Sequence, residues 1–277
     1  MCNNLFKLIV VLKEMSKNKE IILLISLILL FFIANYSWMD NYVGRIFENI
    51  NREDFTVKRV IDGDTIVVGN DTHVRLFGIN TPEKGEKYYK EAKEFVNKSL
   101  YNKTIFIESF GKDKYYRELG IVFFEEENFN AKMIELGFAN AYILDDKQYE
   151  NVFREAWEKC VSSGKNLCEK SKDKCADCVE LKELDIDTQK VSLNNKCSFD
   201  CDLTGWEIKD EGRKKFTFNK FILGKNKEMS VIIGNKTDTN NVLYWEGEDY
   251  VWTSTGDTLF LRDDEGKLVI WREIGMD

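Results

Sequence analysis

Nineteen consecutive residues, 21–39, carry no Asp, Glu, Lys or Arg. As a helix rising ~1.5 Å per residue they would span roughly 28 Å, close to the ~30 Å hydrocarbon core of a bilayer. Lys7, Lys13, Lys17 and Lys19 precede the run and Asp40 follows it. That bias predicts a cytoplasmic segment at 1–20, a transmembrane signal anchor at 21–39 and a linker at 40–54, with the body of the protein outside a cell membrane crossed once. The competing expectation is a cleaved signal peptide. It needs a small residue two positions before Ala34, where Phe32 stands.

Composition narrows the chemistry of the body. The chain has one histidine, His73, among 277 residues. Sites built from two histidines are thereby excluded, both metal centres and paired acid–base catalysts. Neither a G-x-S-x-G turn nor a G-x-x-x-x-G-K-[ST] loop is present, which removes α/β-hydrolase and P-loop mechanisms. Forty basic residues against 48 acidic ones give a net charge of −8. A site that grips phosphate must therefore assemble its own local positive charge.

Between 55 and 160 the pattern predicts a small closed barrel with packed helices. Runs at 55–61 and 65–68, a turn at Gly69-Asn70-Asp71 and alternation over 73–79 read as three strands. Tyr88, Tyr89, Ala92, Phe95, Val96, Ser99 and Leu100 recur at helical spacing. Strands follow at 104–110 and 119–124, then a short helix at 130–136 stopped by Gly137. A last helix is striped by Tyr149, Val152, Phe153, Ala156, Trp157 and Cys160. From 191 onward, short strands punctuated by glycine predict a sandwich or barrel with Trp206, Trp245 and Trp252 in its core. The expected fold class is mainly β with α.

Four clusters in the barrel segment carry chemistry: Asp62-Gly63-Asp64-Thr65, Arg75, Asn80-Thr81-Pro82-Glu83 and Asp113-Lys114-Tyr115-Tyr116-Arg117. Phosphodiester cleavage requires a carboxylate to aim and deprotonate water, a hard cation on oxygen ligands, and guanidiniums to grip phosphate. This set meets those needs without histidine. Each part has a plainer reading on its own. Asp62 and Asp64 can make a turn, Arg75 and Glu83 a surface ion pair, and Lys84, Lys87, Lys90 and Lys93 a solvated face. His73 reads as a bystander on the outward side of its strand.

The ordered stretches VKRVIDGDTIVV, VRLFGINTPE, KYYKEAKEFV, DKYYRELGIVFF and NAKMIELGFANAY, spread over 55–160, resemble the thermonuclease (staphylococcal-nuclease-like) family. The resemblance implies an OB-fold barrel and a calcium-dependent phosphodiesterase acting on DNA and RNA. Position by position, it makes Asp64, Asn80 and the Thr81 carbonyl ligands of Ca2+. Glu83 becomes the carboxylate that activates or orients water. Arg75 grips the scissile phosphate and Arg117 is the second guanidinium, while Tyr115 and Tyr142 fall near nucleotide-contacting positions. Two residues depart from the family. Asn80 replaces an aspartate, which predicts weaker calcium binding because affinity follows the number of charged ligands. Tyr116 replaces a glycine, which predicts strain if that turn needs a positive φ.

Cys160, Cys168, Cys175, Cys178, Cys197 and Cys201 cluster in and beside a linker expected at 161–194. In an exported body they predict disulfides in a pairing the sequence does not select. The alternative is a zinc site on Cys175, Cys178, Cys197 and Cys201. Beyond them, LTGWEIKD at 203–210 and the stretch 252–269 resemble the lamin-tail domain family over roughly 195–275. That resemblance implies an immunoglobulin-like β-sandwich at 195–277 that binds or tethers to an unidentified ligand. The combined expectation is a membrane-anchored extracellular calcium-dependent nuclease for DNA and/or RNA. Its alternatives are a catalytically weak or inactive nuclease-fold protein that binds nucleic acid, and a surface interaction protein whose working part is the sandwich.

Overall fold

The computed structural model describes residues 54–142, 147–254 and 256–274, together with Ser26. The expected anchor at 21–39 and the segments flanking it otherwise lie outside the described residues. Among the described residues no helix is long and apolar enough to cross a membrane.

Three antiparallel strands open the barrel: β1 (Asp54–Val60), β2 (Thr65–Val68) and β3 (Thr72–Leu76). A short β4 (Ile79–Asn80) and helix α1 (Tyr89–Leu100) lead to β5 (Thr104–Lys112), which returns beside β1. Strand β6 (Glu118–Phe124) pairs antiparallel with β5 and parallel with β3. That parallel pairing closes a five-stranded, OB-like ring in the order β1-β2-β3-β6-β5. Then come β7 (Glu127–Asn128), α2 (Phe129–Glu135), β8 (Asn140–Ala141) paired with β4, and α3 (Lys147–Ser163). Val57, Ile66, Val74, Val96, Leu100, Ile121 and Met133 are fully buried inside, each aliphatic contributing about 1.5–3 kcal/mol by leaving water.

One side chain latches the ring shut. Asn130 on α2 is wholly buried; its amide donates to the carbonyls of Phe77 and Gly120, and its oxygen accepts from the Val122 N–H. These groups sit where β3 ends and β6 begins, so the seam's backbone polarity is satisfied without water.

A 3-10 turn at Asn166–Cys168 precedes the second module. Its strands are β9 (Val179–Asp185), β10 (Lys190–Asn195), β11 (Cys201–Asp202), β12 (Glu207–Lys209), β13 (Lys215–Thr217), β14 (Ile222–Leu223), β15 (Glu228–Ile233), β16 (Val242–Trp245), β17 (Asp257–Arg262) and β18 (Leu268–Ile274). They form two main sheets, β16-β15-β10-β9 and β13-β12-β17-β18, in an immunoglobulin-like sandwich. Trp206, Trp245 and Trp252 are in its core, as their spacing among short strands predicts.

The segment 161–194 is not a linker. Helix α3 runs on to Ser163, and β9 and nearly all of β10 belong to the first sheet of the sandwich. A register shift between Ser192 and Leu193 opposite β9 puts the inward residues at Val179, Leu181 and Leu184. That spacing breaks the two-residue alternation by which a half-buried strand is recognised.

The six cysteines pair as Cys160–Cys168, Cys175–Cys201 and Cys178–Cys197. The last two bridges lie side by side, with the sulfurs of Cys175, Cys197 and Cys201 within 4.8 Å of one another. Barrel and sandwich also share apolar surface. Trp157 of α3 meets Phe260 and Trp271 edge-on at 5.4 and 6.0 Å. Arg262, buried, donates to the carbonyls of Leu167 and Gly266 and to the Asn140 amide oxygen.

Tyr116 adopts φ 62°, the left-handed backbone foreseen from its place in the family's glycine position. The residue is 85% exposed, so among the described residues little packs against it in compensation. The left-handed cost for an L-residue is ~1–2 kcal/mol, partly offset in a Gly variant by ~0.5–1 kcal/mol of unfolded-state entropy. Tyr116→Gly is expected to raise thermal stability by roughly 1–3 °C, measured by calorimetry; a lowered midpoint would show that the tyrosine is not strained.

Candidate active site

The barrel's pairing register assembles the site. Thr65 opens β2 opposite Arg75 on β3, so the turn carrying Asp64 lies beside that arginine. The parallel pairing of β3 and β6 sets Arg75 opposite Leu119, two residues beyond Arg117. Closure of the ring therefore brings both arginines to one end.

Asp64 is buried and heavily engaged. Its carboxylate accepts from the Thr65 hydroxyl at 3.1 Å and from the Thr81 N–H and hydroxyl at 3.2 and 3.0 Å, and it forms an ion pair with Arg75 Nη1 at 3.1 Å. Gly63 makes this approach possible, because a β-carbon there would lie 2.8 Å from the Thr81 hydroxyl. Asp62 caps the turn by accepting the Asp64 N–H. Burial first, and the Asp64 charge next, raise the Asp62 carboxyl above its ordinary range. Two carboxylates that repel one another in a half-dry turn form a set of hard oxygen donors suited to a divalent cation.

Arg75, 8% exposed, donates Nη1 to the Leu76 carbonyl and Nη2 to Asn80 Oδ1 at 2.6 Å. Burial pulls its pKa down and the Asp64 charge opposes that pull. Arg117 is held by Asp113 through Nε and Nη2, both at 2.7 Å, and its Nη1 reaches the Thr65 hydroxyl at 3.4 Å. A continuous chain of contacts thus joins Arg117, Thr65, Asp64, Arg75 and Asn80. Thr65 carries the link between the two arginines, a role that the D-G-D-T motif does not announce.

The remaining expected residues are placed differently. Asn80 reaches the site, but its oxygen takes Arg75 and its amide donates to the Glu211 carbonyl at 2.7 Å. Because Arg75 only donates and a carbonyl only accepts, the amide orientation is fixed. Glu83 sits at the rim, paired with Arg213 Nε at 2.8 Å. Tyr115 is exposed and packs its ring under the Arg117 guanidinium at 5.5 Å, beside a groove also lined by His73, Lys112 and Tyr116. Tyr142 faces the sandwich instead: burial first, and the charges of Glu211, Asp257 and Asp210 next, raise its phenol pKa. Glu211 and Arg213 come from the β12–β13 loop of the sandwich, and nothing local in the sequence ties that loop to the barrel.

The same loop carries a pH-sensitive pair. Burial first, and the Asp257 charge next, push the Asp210 carboxyl up to about 7; burial pushes Asp257 up to about 6. A carboxyl raised in the folded state contributes stability fully below its unfolded value near 4 and loses it as pH rises through 6 to 7. Asp210→Asn keeps an oxygen for the Lys214 N–H that Asp210 now accepts. It is expected to raise the melting temperature by roughly 4–8 °C at pH 8.5 and by less than about 2 °C at pH 4.5. Equal gains at both pH values would contradict the raised pKa.

Sequence comparisons agree with this architecture. The staphylococcal nuclease homologue family matches residues 73–170, and the lamin tail domain matches 176–275. The second match begins before β9, as the sheet pairing requires. A thermonuclease of Staphylococcus intermedius is 32% identical over 169 residues, 56% of this chain and 100% of its own length. A thermonuclease of Staphylococcus hyicus is 33% identical over 131 residues, 43% of this chain and 78% of its own. An uncharacterized endonuclease of Haemophilus influenzae is 32% identical over 117 residues, 40% and 64% of the respective lengths. Barrel, site and relatives together show that this chain belongs to the staphylococcal nuclease family, with a lamin tail domain following the nuclease domain.

Proposed function

We propose that the protein is a calcium-dependent nuclease that hydrolyses phosphodiester bonds of DNA and/or RNA. The observation that carries this reading is the convergence of Asp64, Arg75, Thr65 and Arg117 in one chain of hydrogen bonds and an ion pair at an end of the barrel. The oxygen donors of Asp64 and Thr81, with Asp62 beside them, fit a hard cation such as Ca2+. Asn80 adds a neutral oxygen only by giving up Arg75. When bound, the cation supplies positive charge next to the phosphate and lowers the pKa of adjacent water.

The residues of the chain do the rest. Arg75 and Arg117 hold the non-bridging phosphate oxygens and neutralise the charge that grows on them during attack. Glu83 accepts the proton of the attacking water, for which it must leave its exposed pairing with Arg213. An exposed ion pair of this kind stabilises by only ~0–1 kcal/mol, so substrate can displace it. Water attack with departure of the 5′-oxygen leaves a 3′-phosphate and a 5′-hydroxyl. Incubating the protein with a single-stranded oligonucleotide and calcium should give those ends by mass spectrometry; 3′-hydroxyl products would overturn the assignment of roles.

The uncharged run at 21–39 supports an enzyme anchored in a cell membrane with its domains outside. The three disulfides support an oxidising compartment.

A further inference from the structure

The sandwich does more than sit behind the barrel. Its β12–β13 loop, 210–214, reaches the rim of the nuclease site at several points. The Glu211 carbonyl takes the amide of Asn80, whose oxygen is bonded to Arg75. Lys209 and Lys215, on the strands flanking the loop, both pair with Glu86 at 3.3 Å. Between these anchors Arg213 projects to Glu83.

We propose that the lamin tail domain completes the substrate site: Arg213 is a third phosphate-binding guanidinium, which leaves Glu83 and takes a phosphate of the nucleic acid strand next to the scissile one. This rests on the nuclease reading above.

Arg213 meets Glu83 through Nε at 2.8 Å, and its guanidinium has no other partner among the described residues. The side chain is 54% exposed, so its planar fork is open to a ligand, and a phosphate offers that fork two oxygens. Arg213 and Arg117 each lie close enough to Arg75 to lower its pKa. Arg75 and Arg117 are held by Asp64 and Asp113, so Arg213, once it leaves Glu83, offers the strand a positive charge that a chain of net charge −8 does not supply elsewhere at the rim. The exchange links two steps. A phosphate that draws Arg213 away also frees the Glu83 carboxylate for water, so Glu83 is released when substrate is in place.

The test uses the full chain and two readouts. Binding of a fluorescent oligothymidylate is measured by anisotropy in chelator, and its cleavage is measured in calcium. Arg213→Ala is expected to raise Kd and KM about tenfold with kcat within twofold, and to reduce the slope of log Kd against log salt by ~0.7, the share of one phosphate contact on a single strand. Arg213→Lys should recover part of the affinity. Circular dichroism checks that each variant is folded. Unchanged Kd and salt slope would overturn the proposal. So would a fall in kcat at constant Kd, which would make Arg213 a positioning residue for Glu83. If the wild-type protein cuts nothing in calcium while Arg213→Ala still weakens binding, the nuclease reading falls and the phosphate contact stands.

Discussion

Arg75→Ala should lower kcat by about 10³-fold while the barrel stays folded, because it removes a buried fork aimed at the charge that develops on phosphate. Its loss also frees Asn80 Oδ1 and the Leu76 carbonyl and leaves the Asp64 carboxylate with three hydrogen bonds, from Thr65 and Thr81. Calcium binding should therefore survive. Arg75→Lys separates charge from geometry. A lysine keeps the positive charge but not the fork that meets Asp64, Leu76 and Asn80 together, so activity should stay about 10²-fold below wild type. Steady-state kinetics beside a calcium titration check both variants. Activity within fivefold of wild type for Arg75→Ala would remove this residue from the chemistry.

Reducing the disulfides should cost more stability than any single substitution discussed here. Bridges closing segments of this size are each worth roughly 2–4 kcal/mol in the chain-entropy view. Their sequence separations are 8, 26 and 19 residues. Cys178–Cys197 lies inside the loop closed by Cys175–Cys201, so those two restrict the same stretch and their contributions do not add in full. A joint loss of about 5–8 kcal/mol corresponds to a fall in melting temperature of roughly 10–30 °C. The effect should begin in the sandwich, where the nested bridges hold the start of β9 against β11. Calorimetry with and without reductant measures it. An unchanged midpoint after complete reduction would mean that the apolar core alone holds the module. Zinc retained by the unreduced protein, with free thiols at these positions, would point instead to a metal on the same cysteines.

The barrel was legible because its signals are local. Val74, Leu76, Val96 and Leu100 recur with the period of the element that carries them, and Gly137 ends its helix at φ 70°. Asp64, Arg75 and Arg117 were legible as residue types set at strand ends. The β2–β3 hairpin sets Asp64 beside Arg75, and the parallel pairing of β3 with β6, which no local pattern encodes, brings Arg117 to them. What stayed hidden depends on tertiary contact. Asn130 looks like an ordinary polar residue in a short helix until the seam it satisfies is in view. The register shift opposite β9 disguised a strand as linker. The run Asp210-Glu211-Gly212-Arg213-Lys214 reads as a solvated turn, and only packing of the sandwich against the barrel brings it to Asn80 and Glu83. Asn80 changes meaning for the same reason. Beside the family pattern it is a missing charge, whereas in the structure its amide joins Arg75 to the second domain, a bond that an aspartate would not donate.

Hydrolysis at Asp64, Arg75, Glu83 and Arg117 should need both a divalent cation and the Glu83 carboxylate. Cleavage of a labelled single strand by the wild-type chain and by Glu83→Gln, each in calcium and in chelator, decides it. Wild type should cut in calcium alone, and Glu83→Gln should be slower by about 10²-fold or more in calcium. Binding of the strand without cleavage in either condition would contradict the account and leave a nucleic-acid-binding protein in a nuclease fold.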